Sequence, residues 1–424
     1  MGGDPRKPDV REHSVPGLDS EKQGRASAAG AAPTGADGFK GGRRKLGLIV
    51  NPVAGVGGRV GLKGSDGADI LRRALEMGAH RESPHRAALA LRRLEHLRDS
   101  IEVLTYPGEM GERAARACGF APTVLRALHE RGTVEIAGEV VPATTADDTE
   151  EAARRMAQAG VELVLFAGGD GTARNIFNAI GERVPVVGIP AGVKIHSAVY
   201  ANTPASAGDL AALFVGGSRG VRLREAEVMD IDEEAFRDDR LSARLYGYLR
   251  IPYERQLVQS AKAGSQPSDE AAMAGIANEV INGMEPGVLY VIGAGTTTRA
   301  IMRLLELPNT LLGVDAVLDR RLAGADLSEA DLLRLVDGPP ARIVISVIGG
   351  QGHIFGRGNQ QISPAVIRAV GTRNVIVVAT QAKLLALQGE PLHVDTGDEE
   401  LDRVLAGWAK VVTGHGVRTM YRIA

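Results

Sequence analysis

Asp170 is the residue of this chain best placed to do chemistry, because of what flanks it. It sits in the run Gly168-Gly169-Asp170-Gly171-Thr172. Glycines let the backbone approach an anion with no Cβ in the way. A glycine turn that opens a helix also points N–H groups at a positive helix end, where phosphate binds readily. A carboxylate inside such a turn would repel that phosphate. Its presence makes sense if Asp170 holds a metal or takes a proton from an attacking hydroxyl. The plainer alternative is a turn-forming Asp between glycines. Two features favour chemistry: a long, wholly apolar run precedes the turn, and the Thr172 hydroxyl falls where a helix cap or a metal-bound hydroxyl would sit. Comparable glycine-rich or hydroxyl-rich loops follow Val50, Ile292 and Ile348. One such loop is an ordinary tight turn; together they point to a site that handles phosphate.

The elements around these loops set their positions. Val161–Ala167 reads as a buried parallel strand and Ala173–Ile180 as the helix after the turn. Lys45–Val50 reads as a strand running into Asn51-Pro52-Val53-Ala54-Gly55-Val56-Gly57-Gly58. Helical patterns cover Ala68–Met77 and Pro84–Leu97, and Ile101–Leu104 is a further strand. Acids at Asp147–Glu151 open a helix, as the macrodipole favours. Val184–Pro190 is the next strand. Strands alternating with helices predict an α/β fold, with an N-terminal doubly wound parallel-sheet domain. Ligands of such sheets sit at the carboxyl ends of the strands, where Asn51, Asp170 and Ala191 all fall. The character changes after about Val221. Val228–Asp232, Ala243–Ile251 and Arg255–Val258 read as strands without helices between them. Ser268–Met284 is helical, and Val288–Ile292, Ile343–Ile348 and Val375–Ala379 are strands. Asp398–Trp408 is helical and the end is extended. The expected division is a disordered tail over residues 1–42, a nucleotide-binding domain over 43–220, and a second, mixed and β-rich domain over 221–424. The cleft between the two domains is the expected site.

Composition narrows the classes. The 424 residues suffice for two or three domains of about 150 residues. A hydrophobic fraction of 44% with only 4% aromatics implies cores of Ala, Val, Leu and Ile. A net charge of −2 gives no electrostatic case for nucleic acid or an acidic membrane surface. Cys118 is the only cysteine, which excludes an intrachain disulfide and a multi-cysteine metal site. No apolar run reaches the ~18 residues of a membrane span, and no apolar signal core opens the chain, so a cytoplasmic protein is expected. Lys194 is either a phosphate partner or a surface lysine. His196 and His353 are either acid–base groups or hydrogen-bonded structural histidines. Asp230 and Asp232 share a strand face and could place a divalent cation or form a solvated edge. Asp315 is a further acid at an expected strand end.

The run Gly168–Thr172 resembles the GGDGT signature shared by NAD kinases, diacylglycerol kinases and sphingosine kinases. Asn51-Pro52-x-Ala54-Gly55-x-Gly57 is similar to the first nucleotide-binding loop of that group. The blocks Gly192–Ser197, Gly295–Ala300 and Gly349–Gln361 look like the prokaryotic ATP-NAD kinase-like family, and the resemblance spans about Lys45 to the C-terminus. It implies the two-domain fold of NAD kinases. It also implies an ATP- and Mg²⁺-dependent transfer of the γ-phosphoryl group to the 2′-hydroxyl of NAD, giving NADP. Carried over, Asp170 is the base. Gly168, Gly169, Gly171 and Thr172 contact phosphate, and Asn51, Gly55, Gly57, Lys194, Thr296, Thr297 and Thr298 line the nucleotide sites. Asn278-Glu279 has the letters of the Asn-Glu pair that NAD kinases place near their substrate. By analogy the protein is a homo-oligomer. The rival expectations are a lipid kinase of diacylglycerol or sphingosine type, a kinase of another small metabolite, and a non-catalytic nucleotide-binding regulator.

Overall fold

A computed structural model describes residues 43–62, 68–128, 132–218, 220–231, 243–254, 257–258, 270–310 and 312–424. The tail expected over 1–42, residue Asp232 and the side chain of Asp230 lie outside the described residues, so the acid pair on that strand has no structural account. Seven strands open the fold: β1 (Arg44–Val50), β2 (Ile101–Thr105), β3 (Thr123–Val124), β4 (Thr133–Ile136), β5 (Glu139–Pro142), β6 (Leu163–Gly168) and β7 (Val186–Pro190). Five of them form a parallel sheet in the order β3-β2-β1-β6-β7, and β4–β5 is a separate hairpin. Strands β6 and β7 are buried along their whole length. That is why they read in the sequence as continuous rather than alternating apolar runs.

The chain leaves β1 toward β2 on one side and returns to β6 on the other. The sheet therefore reverses direction between β1 and β6, which opens a crevice at their carboxyl ends. Register aligns those ends: Val50 pairs with Ala167, and Gly168 pairs with Pro190. Asn51, Gly169 and Ala191 accordingly emerge at one edge.

Two long strands follow, β8 (Arg222–Ile231) and β9 (Ala243–Tyr253), paired as an antiparallel hairpin. Ala226, Val228, Leu249 and Ile251 of this hairpin are buried in the same core as the first sheet. Arg255–Val258 was expected as a strand; of it, only Leu257 and Val258 are described, and Val258 makes a single bridge to Ala201.

The rest of the chain adds β10 (Leu289–Ile292), β11 (Asp315–Leu318), β12 (Arg321–Gly324), β13 (Ala341–Ser346), β14 (His353–Phe355), β15 (Val375–Val378), β16 (His393–Val394), β17 (Gly407–Gly414) and β18 (Val417–Ile423). Seven of these form a mixed sheet in the order β12-β11-β10-β13-β15-β17-β18. Its centre, from β10 to β17, is parallel, and antiparallel strands close both edges. The molecule is thus α/β, with a parallel first sheet and a mixed, strand-rich second half. The helix expected over Asp398–Trp408 ends earlier, spanning Glu399–Leu405. Gly407, at φ 131°, turns the backbone into β17.

Candidate functional site

The first helix after β6 runs from Asp170 to Ile180, with Gly169 as its extended N-cap. The turn is therefore tighter than the sequence suggests: Gly168 ends the strand, Asp170 already begins the helix, and Gly171 and Thr172 complete its first turn. Close packing explains the glycines. A Cβ on Gly168 would lie 2.4 Å from the Thr172 hydroxyl, and one on Gly192 would lie 2.8 Å from the Cα of Gly169. Two loops from neighbouring strands thus touch backbone to backbone.

Asn51 locks the crevice between β1 and β6. Its side-chain amide donates to Thr172 Oγ1 at 3.1 Å, while its carbonyl oxygen accepts from the Val53 N–H at 3.2 Å. Gly55 adopts φ 78° and packs where a Cβ would stand 1.9 Å from the Ala191 carbonyl oxygen. An L-residue there meets both the left-handed penalty of roughly 1–2 kcal/mol and a backbone clash. Gly55→Ala is expected to lower stability by about 2–4 kcal/mol. Thermal melting checks it.

Asp170 is 7% exposed, and its carboxylate is fully engaged. Oδ2 accepts from the His196 N–H at 2.9 Å and Oδ1 from the Ser197 N–H at 3.0 Å. The His196 ring lies alongside, with Nδ1 3.5 Å from Oδ2. The Tyr200 hydroxyl donates to the Gly169 carbonyl at 2.5 Å and so steadies the N-cap. Burial and the adjacent Asp170 charge push that hydroxyl well above its ordinary pKa, which keeps it a donor. Its ring fills the space beside Gly188, where a Cβ would lie 2.4 Å away.

The loop after β13 is laid across these elements. Gln351 Nε2 donates to the Ile195 carbonyl at 3.0 Å, Gln360 Nε2 to the Val193 carbonyl at 2.7 Å, and the Gly358 N–H to the same carbonyl at 3.2 Å. Lys194 lies along Gly358, where a Cβ would be 3.3 Å from its Cε. A cleft results, lined by Gly55, Gly192, Gly356 and Gln360 together with the cations Arg59 and Arg86. Glu82 lines the same cleft, and both guanidinium groups are already paired, Arg59 with Glu82 at 2.9 Å and Arg86 with Asp395 at 2.8 Å.

The structure gathers Asn51, Gly55, Gly168, Gly169 and Thr172 into one site, with Lys194 at its border. Thr296–Thr298 form a separate cluster at the carboxyl edge of the second sheet. There Lys383 Nζ donates to Thr297 Oγ1 at 2.9 Å, and Thr298 Oγ1 donates to the Gly295 carbonyl at 3.0 Å. The loop after β13 links the two clusters: Ser346, at its start, accepts from Lys383 at 3.3 Å, and Gln351 further along reaches Ile195.

Other candidates have structural partners. Glu279 binds the Gly416 N–H at 2.9 Å and Arg418 at 2.6 Å, and Asn278 donates to the Ala274 carbonyl of its own helix. Asp315 begins β11 rather than ending a strand, and its carboxylate accepts from Thr310 and from the Asp326 N–H. His353 holds the Asn202 carbonyl at 2.9 Å, and burial with the nearby Arg357 charge pushes its pKa well down, so it is a neutral strut. Burial likewise raises the pKa of the Cys118 thiol. Sequence reasoning missed Arg86, Asp395, Gln351 and Gln360 as site builders. Only the two glutamines carried a signal, as members of the Gly349–Gln361 block.

Among the described residues, no helix is long and apolar enough to cross a membrane. No curated protein matches the chain. One solved structure, of a protein assigned as a UDP-N-acetylglucosamine 2-epimerase from Listeria monocytogenes, aligns at 9% identity over 82% of each chain. Its TM-score of 0.25 is too low to bear on this fold. Family comparison is specific. Residues 46–218 match the ATP-NAD kinase N-terminal domain and residues 286–423 the ATP-NAD kinase C-terminal domain. With its glycine turn at the crevice of the first sheet and both domains matched in order, the chain belongs to the ATP-NAD kinase family and is a phosphotransferase.

Proposed function

We propose that this kinase transfers the γ-phosphoryl group of ATP to the 2′-hydroxyl of NAD, producing NADP. The observation that carries this reading is the buried Asp170 carboxylate, fixed at the crevice between β1 and β6 beside the Asn51–Thr172 bond. Phosphoryl transfer asks mainly for positioning and charge neutralisation. The glycine turns at Gly55 and Gly168–Thr172 let a phosphate approach the backbone closely, beside a cleft bordered by the Arg59–Glu82 ion pair. Asp170 governs the acid–base chemistry at the acceptor hydroxyl. Gly168, Gly169, Gly171 and Thr172 meet phosphate, Lys194 borders the nucleotide, and Thr296–Thr298 serve its distal part.

Among the described residues, no three His, Cys, Asp or Glu side chains converge as a metal cage. Magnesium in this reading therefore arrives chelated by ATP, as part of the substrate; it needs few protein ligands when phosphates supply oxygens. The same reading places the protein in the cytoplasm as a homo-oligomer, by analogy with NAD kinases. The test is NADP formation from NAD, ATP and Mg²⁺ by the purified full chain. Turnover that depends on all three supports the reading. ATP consumption with a different hydroxyl acceptor, and none with NAD, would keep the kinase and discard the acceptor.

A further inference from the structure

The Asp170 carboxylate is aimed by its two donors, the His196 N–H at 2.9 Å and the Ser197 N–H at 3.0 Å. What holds those two peptide units therefore holds the carboxylate. The Ser197 side is tied to the β8–β9 hairpin. There the Ser197 hydroxyl accepts from the Met229 N–H at 2.9 Å, and the Ala198 N–H donates to the Glu227 carbonyl at 2.8 Å. The His196 side is tied to the second half of the molecule. In a trans peptide the C=O and the N–H point in opposite directions. The Ile195–His196 unit uses both: its N–H donates to Asp170 Oδ2, and its C=O accepts from Gln351 Nε2 at 3.0 Å. Gln351, Ile195, His196 and Asp170 are each at most 7% exposed, so bulk water does not compete for these bonds. Hydrogen bonds in such a series polarise and strengthen one another.

The other ties of the same loop end elsewhere. His353 and Arg357 bond the Asn202 carbonyl, and Gly358 and Gln360 bond the Val193 carbonyl. Neither carbonyl shares a peptide unit with a donor to Asp170; the Ile195 carbonyl does. We propose that Gln351 is a positioning residue for the phosphoryl transfer, acting on Asp170 through the Ile195–His196 peptide; this rests on the kinase reading above. Gln351 fixes the plane of that peptide, and the peptide fixes where Oδ2 of Asp170 stands. Because Gln351 belongs to the second half, the carboxylate is set by how the second half seats on the first. Removing the Gln351 donor leaves the fold of the glycine turn in place but frees the peptide to tilt. A small misplacement of a reacting or orienting group lowers the rate of the chemical step more than the binding of substrate.

Two measurements on the full-length protein test this. The first is the backbone amide spectrum of ¹⁵N-histidine-labelled protein, which carries nine histidines, with the His196 amide assigned by its loss in His196→Gln. In Gln351→Met, which keeps the length of the side chain and loses the donor, the His196 amide is expected to shift. An unmoved His196 amide overturns the relay. This readout needs no substrate, so it decides the relay even if wild type makes no NADP and the kinase reading falls. The second is the kinetics of Gln351→Met with the acceptor that wild type turns over. A folded variant with kcat lowered by about 10- to 10²-fold and the ATP KM within threefold is expected. A folded Gln351→Met with kcat near wild type, or with the loss in KM alone, overturns the proposal. Where Gln351→Met does not fold, Gln351→Glu carries the test. Its protonated acid still donates to the Ile195 carbonyl, and its ionised acid does not, so its kcat relative to wild type should fall as the pH rises from 5.5 to 9. A ratio that stays constant across that range overturns the proposal.

Discussion

Replacing Asp170 by asparagine is expected to lower the rate of phosphoryl transfer by about 10²–10⁴-fold, the range for loss of a positioned acid–base group. The substitution is nearly isosteric but not innocent. The carboxylate accepts from two backbone N–H groups, those of His196 and Ser197. An asparagine offers one oxygen and turns an NH₂ toward the other donor. One buried N–H is then unmatched, at about 1–3 kcal/mol, and a favourable anion is lost from the first turn of the helix, at about 0.3–1 kcal/mol. Activity and stability must therefore be read together. A melting shift of a few degrees, ATP binding within a few-fold of wild type, and a collapse of kcat would assign the loss to chemistry. If Asp170→Asn folds, binds ATP and turns over within tenfold of wild type, Asp170 has no role in catalysis.

The part of this site that can be read from sequence is the part built locally. Gly168–Thr172 follows a strand that is apolar throughout because both its faces are buried, and Asn51–Gly58 follows another. Each pattern reports its own surroundings. The contacts that convert these loops into one site are not local. Asn51 meets Thr172 and Gln351 meets Ile195 across long chain separations, and no periodicity marks them. Asp315 shows the same limit from the other side. Gly313-Val314-Asp315 looks like the end of a strand, yet the acid opens β11, because the antiparallel partner β10 fixes its register. Arg86 is the sharpest case. It occupies a helix, Ser83–Arg92, where a charge would ordinarily face water, and only the tertiary fold reveals it as buried. The Asp170–His196 pairing falls between these extremes: both residues stand in recognisable loops, but their apposition needs β6 and β7 side by side.

Arg86 joins the two halves of the molecule, and its removal is expected to be strongly destabilising. Its Nη1 reaches both Asp395 oxygens, at 2.9 and 2.8 Å, and the Pro190 carbonyl at 3.1 Å, with Asp395 only 3% exposed. Burial makes such a pair a poor net source of stability, but breaking it leaves a charge without its main counterpart, typically at about 3–5 kcal/mol. Arg357, 3.6 Å from the same carboxylate, recovers part of that; burial has already pushed its own pKa down to about 10. Arg86→Met should therefore fall toward the lower end of the range. Arg86→Met combined with Asp395→Leu should be less destabilising than the sum of the two single changes. The pH dependence is also fixed in sign. Burial raises the nearby Asp402 to about 6, with Arg86 among the influences holding it down. A carboxyl whose folded pKa is raised favours the folded state when protonated, so its contribution declines as pH rises through about 4 to 6. Without Arg86, Asp402 ionises less readily. The deficit of Arg86→Met should then be largest at pH 7 to 8 and shrink as the pH approaches 5, where Asp402 is protonated in both proteins. Urea unfolding of wild type and variant across that range checks it. A deficit that is independent of pH, or below about 1 kcal/mol at pH 7.5, would mean that the pair contributes no more than a surface salt bridge.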